Sequence, residues 1–139
     1  MRIPLLLSLL VLVAATPAGA EHEVYYRYTV LGYVKDAAGK PRASQAIELV
    51  RDKTGFSYLA ETDADGLFVI VARLGDESAG EALTLRFGAV QTRLTARFDP
   101  RNHTDERGTR VDLEGARALE RPAWFRSTLA NFLGATTRR

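Results

Sequence analysis

Residues 21–139 predict an all-β, antiparallel sandwich of about seven short strands, finished by a short C-terminal amphipathic helix. Three observations carry this. Apolar and polar side chains alternate with period two in short runs between Val24 and Leu113. The runs recur at spacings of roughly ten residues with Gly, Asp or Pro between them, the rhythm of a sandwich. No stretch of helical period interrupts them before residue 120, which excludes α/β crossovers and helical bundles.

The first strand runs from Val24 to Lys35. Val24, Tyr26, Tyr28, Val30, Gly32 and Val34 share one face, and Tyr25, Arg27, Thr29, Leu31, Tyr33 and Lys35 the other, because successive side chains of a pleated strand point to opposite sides. Asp36-Ala37-Ala38-Gly39-Lys40-Pro41 is a turn. A second strand covers Ala46 to Val50 and is bounded by Arg51-Asp52-Lys53-Thr54-Gly55. The third, Phe56 to Thr62, and the fourth, Leu67 to Ala72, flank Asp63-Ala64-Asp65-Gly66, where Gly supplies the positive φ that a tight hairpin needs. After the polar loop Gly75 to Gly80, Ala82 to Phe87 and Thr92 to Phe98 form another hairpin around Gly88-Ala89. Thr109, Val111 and Leu113 make the last strand, and the texture changes at Glu120-Arg121-Pro122.

Ahead of this domain, Met1-Arg2 and the apolar run Leu5 to Ala15 have the charge and length of a signal peptide. Thr16-Pro17 ends the run, and Ala18-Gly19-Ala20 fits the small-residue requirement of signal peptidase, so cleavage is expected after Ala20. The apolar run is shorter than the ~20 residues that span a bilayer as a helix. The organisation expected is therefore a signal peptide over 1–20, a sandwich domain over 21–119 and a helical tail over 120–139. Localisation follows as periplasmic, or secreted, by Sec-type export.

Composition narrows the chemistry. The chain has no Cys and one Met, Met1, so neither disulfides nor thiolate or thioether ligands contribute. Nineteen Lys and Arg face 17 Asp and Glu for a net charge of +2, with both signs interspersed. That is no nucleic-acid footprint. A domain of about 119 residues buries some two-thirds of its surface without help.

The segments Leu31-Gly32-Tyr33-Val34-Lys35-Asp36-Ala37-Ala38-Gly39-Lys40-Pro41, Ile47-Glu48-Leu49-Val50 and Thr62-Asp63-Ala64-Asp65-Gly66-Leu67-Phe68-Val69-Ile70 together resemble the carboxypeptidase regulatory-like domain, a transthyretin-like β-sandwich. The resemblance covers about residues 26 to 114. It implies modules attached to secreted peptidases, outer-membrane receptors and surface proteins, where they space, support or contact other proteins without catalysis. The motif residues read physically as scaffold: Gly32 admits a close neighbour, Gly39 and Pro41 shape a turn, Gly66 closes a hairpin and Phe68 enters the core. The hydroxyisourate hydrolases form an enzymatic branch of transthyretin-like proteins, marked by a C-terminal Tyr-Arg-Gly-Ser. This chain ends Ala135-Thr136-Thr137-Arg138-Arg139 and carries no such tetrapeptide.

No catalytic, cofactor or metal site is expected. Asp63, Asp65 and Gly66 have the beginning of a calcium loop but lack its third ligand and distal Glu, and strand follows at once. The two histidines, His22 beside Glu21 and Glu23 and His103 in a polar loop, lack the spacing of a zinc site. Ser44, Ser57, Ser78 and Ser127 have no adjacent His for nucleophilic catalysis.

Two features point to binding instead. Pro122 begins a segment in which Trp124, Phe125, Leu129, Phe132 and Leu133 recur at helical spacing, with Arg126, Ser127, Ala130 and Asn131 opposite and Gly134 as the stop. Either this helix docks on a periplasmic or envelope protein or an anionic membrane, with Arg126 among five arginines after Gly115, or it packs on the sandwich and covers an open edge. The second feature is the tyrosine-rich first strand. Tyr25 and Tyr33 are candidates for exposed rings that would face a sugar or a protein, with Tyr26 and Tyr28 packed inside. The expected function is a non-catalytic, exported module mediating protein–protein contacts. A carbohydrate- or small-ligand-binding module and a membrane-peripheral accessory protein are the alternatives.

Overall fold

The computed structural model describes residues 24–137. The signal-peptide reading of residues 1–20, and His22, lie outside the described residues. Among the described residues, eight strands and one α-helix follow one another: β1 (Tyr26–Lys35), β2 (Ala46–Arg51), β3 (Phe56–Glu61), β4 (Leu67–Leu74), β5 (Ala82–Phe87), β6 (Val90–Thr95), β7 (Arg107–Glu114), β8 (Arg117–Glu120) and α1 (Phe125–Thr137). They form two four-stranded sheets in the orders β4-β1-β7-β8 and β3-β2-β5-β6. The all-β sandwich with a C-terminal helix is the architecture expected.

Several details differ. An eighth strand follows the tight turn at Gly115, whose φ is +63°, and pairs back on β7 from Glu114↔Arg117 to Val111↔Glu120. The first and seventh strands pair in parallel, while all other pairings are antiparallel. The strand expected at Thr92 to Phe98 begins at Val90 and ends at Thr95, and the fourth continues beyond Ala72 to Leu74. Gly134 does not stop the helix, which runs through it to Thr137.

Alternation builds the core. From β1, Tyr28, Val30 and Val34 meet Ile47 and Leu49 of β2, Phe68 and Ile70 of β4 and Val111 and Leu113 of β7. Burial pushes the Tyr28 hydroxyl up to about 12, and it donates to the Thr95 carbonyl at 3.4 Å. The other face of β1 is covered as well, where Leu31 packs with Phe125, Leu129, Val69 and Phe132 beneath α1. Gly108 makes room for this, since a Cβ there would overlap the Thr29 carbonyl and lie 2.6 Å from the Phe125 ring.

The turn residues act as scaffold. Asp36 Oδ1 accepts the Ala38 and Lys40 amides at 2.9 Å, and Asp63 Oδ1 accepts those of Asp65 and Leu67 at 2.8 and 2.9 Å. The two turns adjoin, because Val34 N–H donates to the Gly66 carbonyl at 2.8 Å. A Cβ on Gly32 would overlap the Val111 carbonyl, so glycine is what lets β1 and β7 approach.

Candidate functional site

The two sheets end on the same side in the edge strands β3 and β4, each hydrogen-bonded to a single neighbour. Between them runs an open groove of about 800 Å³ lined by Tyr25, Phe56, Tyr58, Leu59, Val71 and Arg73, among others. Leu59 is 74 % exposed and Phe56 59 %, with Tyr25 and Val71 at 43 % each. Isolated exposed apolar residues are ordinary, but four lining one open groove along the β3 and β4 edges, from both faces of the strands, are a mark of a binding site. Phe56 meets Tyr58 edge-on, with ring centroids 4.9 Å apart.

The pleat explains this arrangement. The Thr62 amide donates to Gln45 and the Asp52 amide to Ala82, which sets the hydrogen-bonding phase of the antiparallel ladder. Tyr58 and Ala60 therefore bond inward to β2, and the amides of Ser57, Leu59 and Glu61 face out from the free edge. On β4, the Val34-to-Gly66 bond sets Phe68, Ile70 and Ala72 to bond inward to β1, so the backbone groups of Val69, Val71 and Arg73 face out. One of these is capped: the Tyr58 hydroxyl accepts from Arg73 N–H at 3.3 Å and lies 3.4 Å from its carbonyl.

The groove lining contains two arginines and no carboxylate. Arg51 is committed, donating to both oxygens of Glu81 at 2.7 Å and to Ser78 at 3.1 Å. Its bond to Glu81 raises the Arg51 pKa and lowers that of Glu81. Arg73 makes no ion pair among the described residues.

The tail residues form a different assembly. Asp112 on β7 is 2 % exposed by its side chain. It accepts the Tyr33 amide at 3.0 Å, Arg110 Nε at 3.1 Å and an Arg121 N–H. Burial acts to raise its pKa, but Arg110, the Tyr33 amide and Arg121 together hold the carboxyl below the usual range. Arg110 also donates to the Thr128 hydroxyl at 3.0 Å and lies over the rings of Tyr33 and Trp124, 5.0 and 5.2 Å from their centroids. This cluster fastens the helix to the sheet. Of the two alternatives for the tail, packing on the sandwich is the one taken by Phe125 and Leu129, which are buried against Leu31, with Phe132 half-buried beside them. Trp124 and Leu133 stay exposed, and Arg126 pairs with Asp105 at 3.3 Å.

Tyr25 lines the groove, whereas Tyr33 lies under Arg110 and is half-buried. Eight residues of extended chain place them about 27 Å apart, so they do not form one platform. Sequence reasoning missed Phe56, Leu59 and Val71, because each sits in an ordinary strand pattern. β3 carries no Lys, Arg or Pro, the residues that commonly blunt an edge, so nothing in its sequence marked it as one.

A third cluster joins two loops. Arg107 stacks on Phe98 and Tyr26, 4.2 and 4.7 Å from their centroids, and donates to Asp76 at 3.0 Å. The other oxygen of Asp76 contacts His103 Nε2 at 2.8 Å, and His103 stacks on Tyr26 at 4.6 Å. Asp76 resists the upward push of desolvation and is lowered by His103 and Arg107. Among the described residues no three His, Asp or Glu side chains converge as a metal site requires, and no helix is long and apolar enough to cross a membrane.

No protein-family model matches the chain, and no curated protein matches its sequence.

Proposed function

We propose that this protein is an exported, non-catalytic binding module that contacts a periplasmic or envelope protein through the groove between β3 and β4. The observation that carries the proposal is the joint exposure of Tyr25, Phe56, Leu59 and Val71 along one open groove. Apolar area there is released from water only when a partner covers it, at roughly 25 cal/mol per Å² buried. The resemblance to carboxypeptidase regulatory-like domains agrees with such a role. The apolar run and small-residue site over residues 1–20 support the compartment.

A test is photo-crosslinking in intact cells, with the reactive side chain replacing Leu59 or, as a control, Gln91 on the β6 edge. A discrete adduct from the first site alone, lost when Val71→Glu is added, supports the reading. Equal adducts from both sites, or none from the first, refute it.

The carbohydrate alternative uses the same groove, favoured by the Tyr25 and Phe56 rings exposed in it. Binding of neutral glycans that Phe56→Ala abolishes would select it over a protein partner. Membrane attachment through the tail has the least support, because α1 spends Phe125 and Leu129 on the sandwich.

A further inference from the structure

We infer that the partner enters the groove as an extended segment that adds a fifth strand to the free edge of β3, with a carboxylate of that segment reaching Arg73. This rests on the groove being the binding site and names how it is used. The four sheet edges are not equivalent. The β6 edge presents Gln91 and Arg93, the latter largely exposed. The β8 edge has only four residues, with charges at Arg117 and Glu120. On β4, the Tyr58 hydroxyl occupies the outward backbone groups of Arg73. Each of these devices discourages strand pairing.

β3 has none of them from Phe56 to Ala60. Its outward amides at Ser57 and Leu59 lie beside the exposed side chains of Phe56 and Leu59. A strand laid there gains main-chain hydrogen bonds for affinity, and every second side chain faces the groove for specificity. The occupant's charge follows from the lining, which among the described residues has no carboxylate, one arginine bound to Glu81 and one, Arg73, without an ion pair. An acidic side chain or a terminal carboxylate satisfies Arg73, whereas a basic segment is repelled.

The probe is a synthetic, acetylated heptapeptide, Val-Thr-Val-Thr-Val-Thr-Glu, and the readout is amide hydrogen exchange resolved by NMR. Millimolar peptide should slow exchange at Ser57, Leu59 and Glu61 by about tenfold or more, and leave Tyr58 and Ala60 unchanged. A version N-methylated at alternate residues should give no protection, and Arg73→Gln should weaken binding severalfold. Leu59→Pro is the decisive variant, because it removes an amide that faces away from β2 and is tolerated at an edge. It should fold and lose the peptide.

Unprotected β3 amides, or binding retained by Leu59→Pro, overturn strand addition. If Phe56→Ala and Val71→Glu weaken binding in that case, the groove survives as the site and only its mode of use fails. If neither variant matters, the groove reading fails too. Protection of the same amides by concentration alone, without peptide, assigns the edge to a second copy of this chain and overturns the inference.

Discussion

Replacing Asp112 tests the way the tail is fastened. In Asp112→Ala the Tyr33 amide loses its side-chain acceptor, and Arg110 and Arg121 lose a shared counter-charge. Removing one partner of a buried ion pair costs about 3–5 kcal/mol. The lower end applies here, because Arg121 keeps Glu114 at 3.2 Å and Arg110 keeps Thr128 at 3.0 Å. A loss of about 3 kcal/mol lowers the melting temperature by roughly 12 °C in a domain of this size. Asp112→Asn keeps an acceptor for the Tyr33 amide and should cost about half as much.

The pH dependence has a definite sign. The folded carboxyl of Asp112 lies below its ordinary value, so its stabilisation is complete above the unfolded-state value of about 4. It is lost as pH falls through the folded value. The gap between wild type and Asp112→Ala should therefore be constant from neutral pH to about 5 and close in stronger acid. Urea titrations followed by circular dichroism at a series of pH values measure it. A gap below about 0.5 kcal/mol at pH 7, or one that widens on acidification, refutes the argument.

Gly108→Ala should destabilise by about 3 kcal/mol, since the new methyl meets the Thr29 backbone and the Phe125 ring together; thermal melts compared with Gly134→Ala, an open helical position, check it. Deleting residues 120–139 strips the cover from Leu31 and removes Arg121. The remainder should bind a hydrophobic dye and melt early, whereas an unchanged melt would show that the helix is dispensable. Asp76→Asn weakens the hold on His103 and Arg107, so amide exchange across residues 99–106 should accelerate while the core is unaffected.

Much of the scaffold was legible because it is local chemistry. The Asp-x-x-Gly turns, the Phe68 anchor and the close approach at Gly32 each depend on neighbours in sequence or on the absence of a Cβ. The buried carboxylate was not, because Val-Asp-Leu within an alternating strand reads as one outward polar residue. Its partners Tyr33, Arg110 and Arg121 meet only through the sheet order. The same holds for Leu31, which alternation places outside, and for the tail, whose amphipathic pattern is identical whether it covers its own sheet or another protein. The groove was hidden for a related reason: exposure at Leu59 is a property of where β3 ends the sheet, and no residue of β3 encodes its rank in that order.

The parallel pairing of β1 with β7 has a kinetic meaning. The strand at the heart of one sheet, β1, takes one of its neighbours from residues 107–114, far along the sequence. That sheet cannot close until β7 reaches β1 across the intervening strands, and long-range closure of this kind places folding toward milliseconds to seconds.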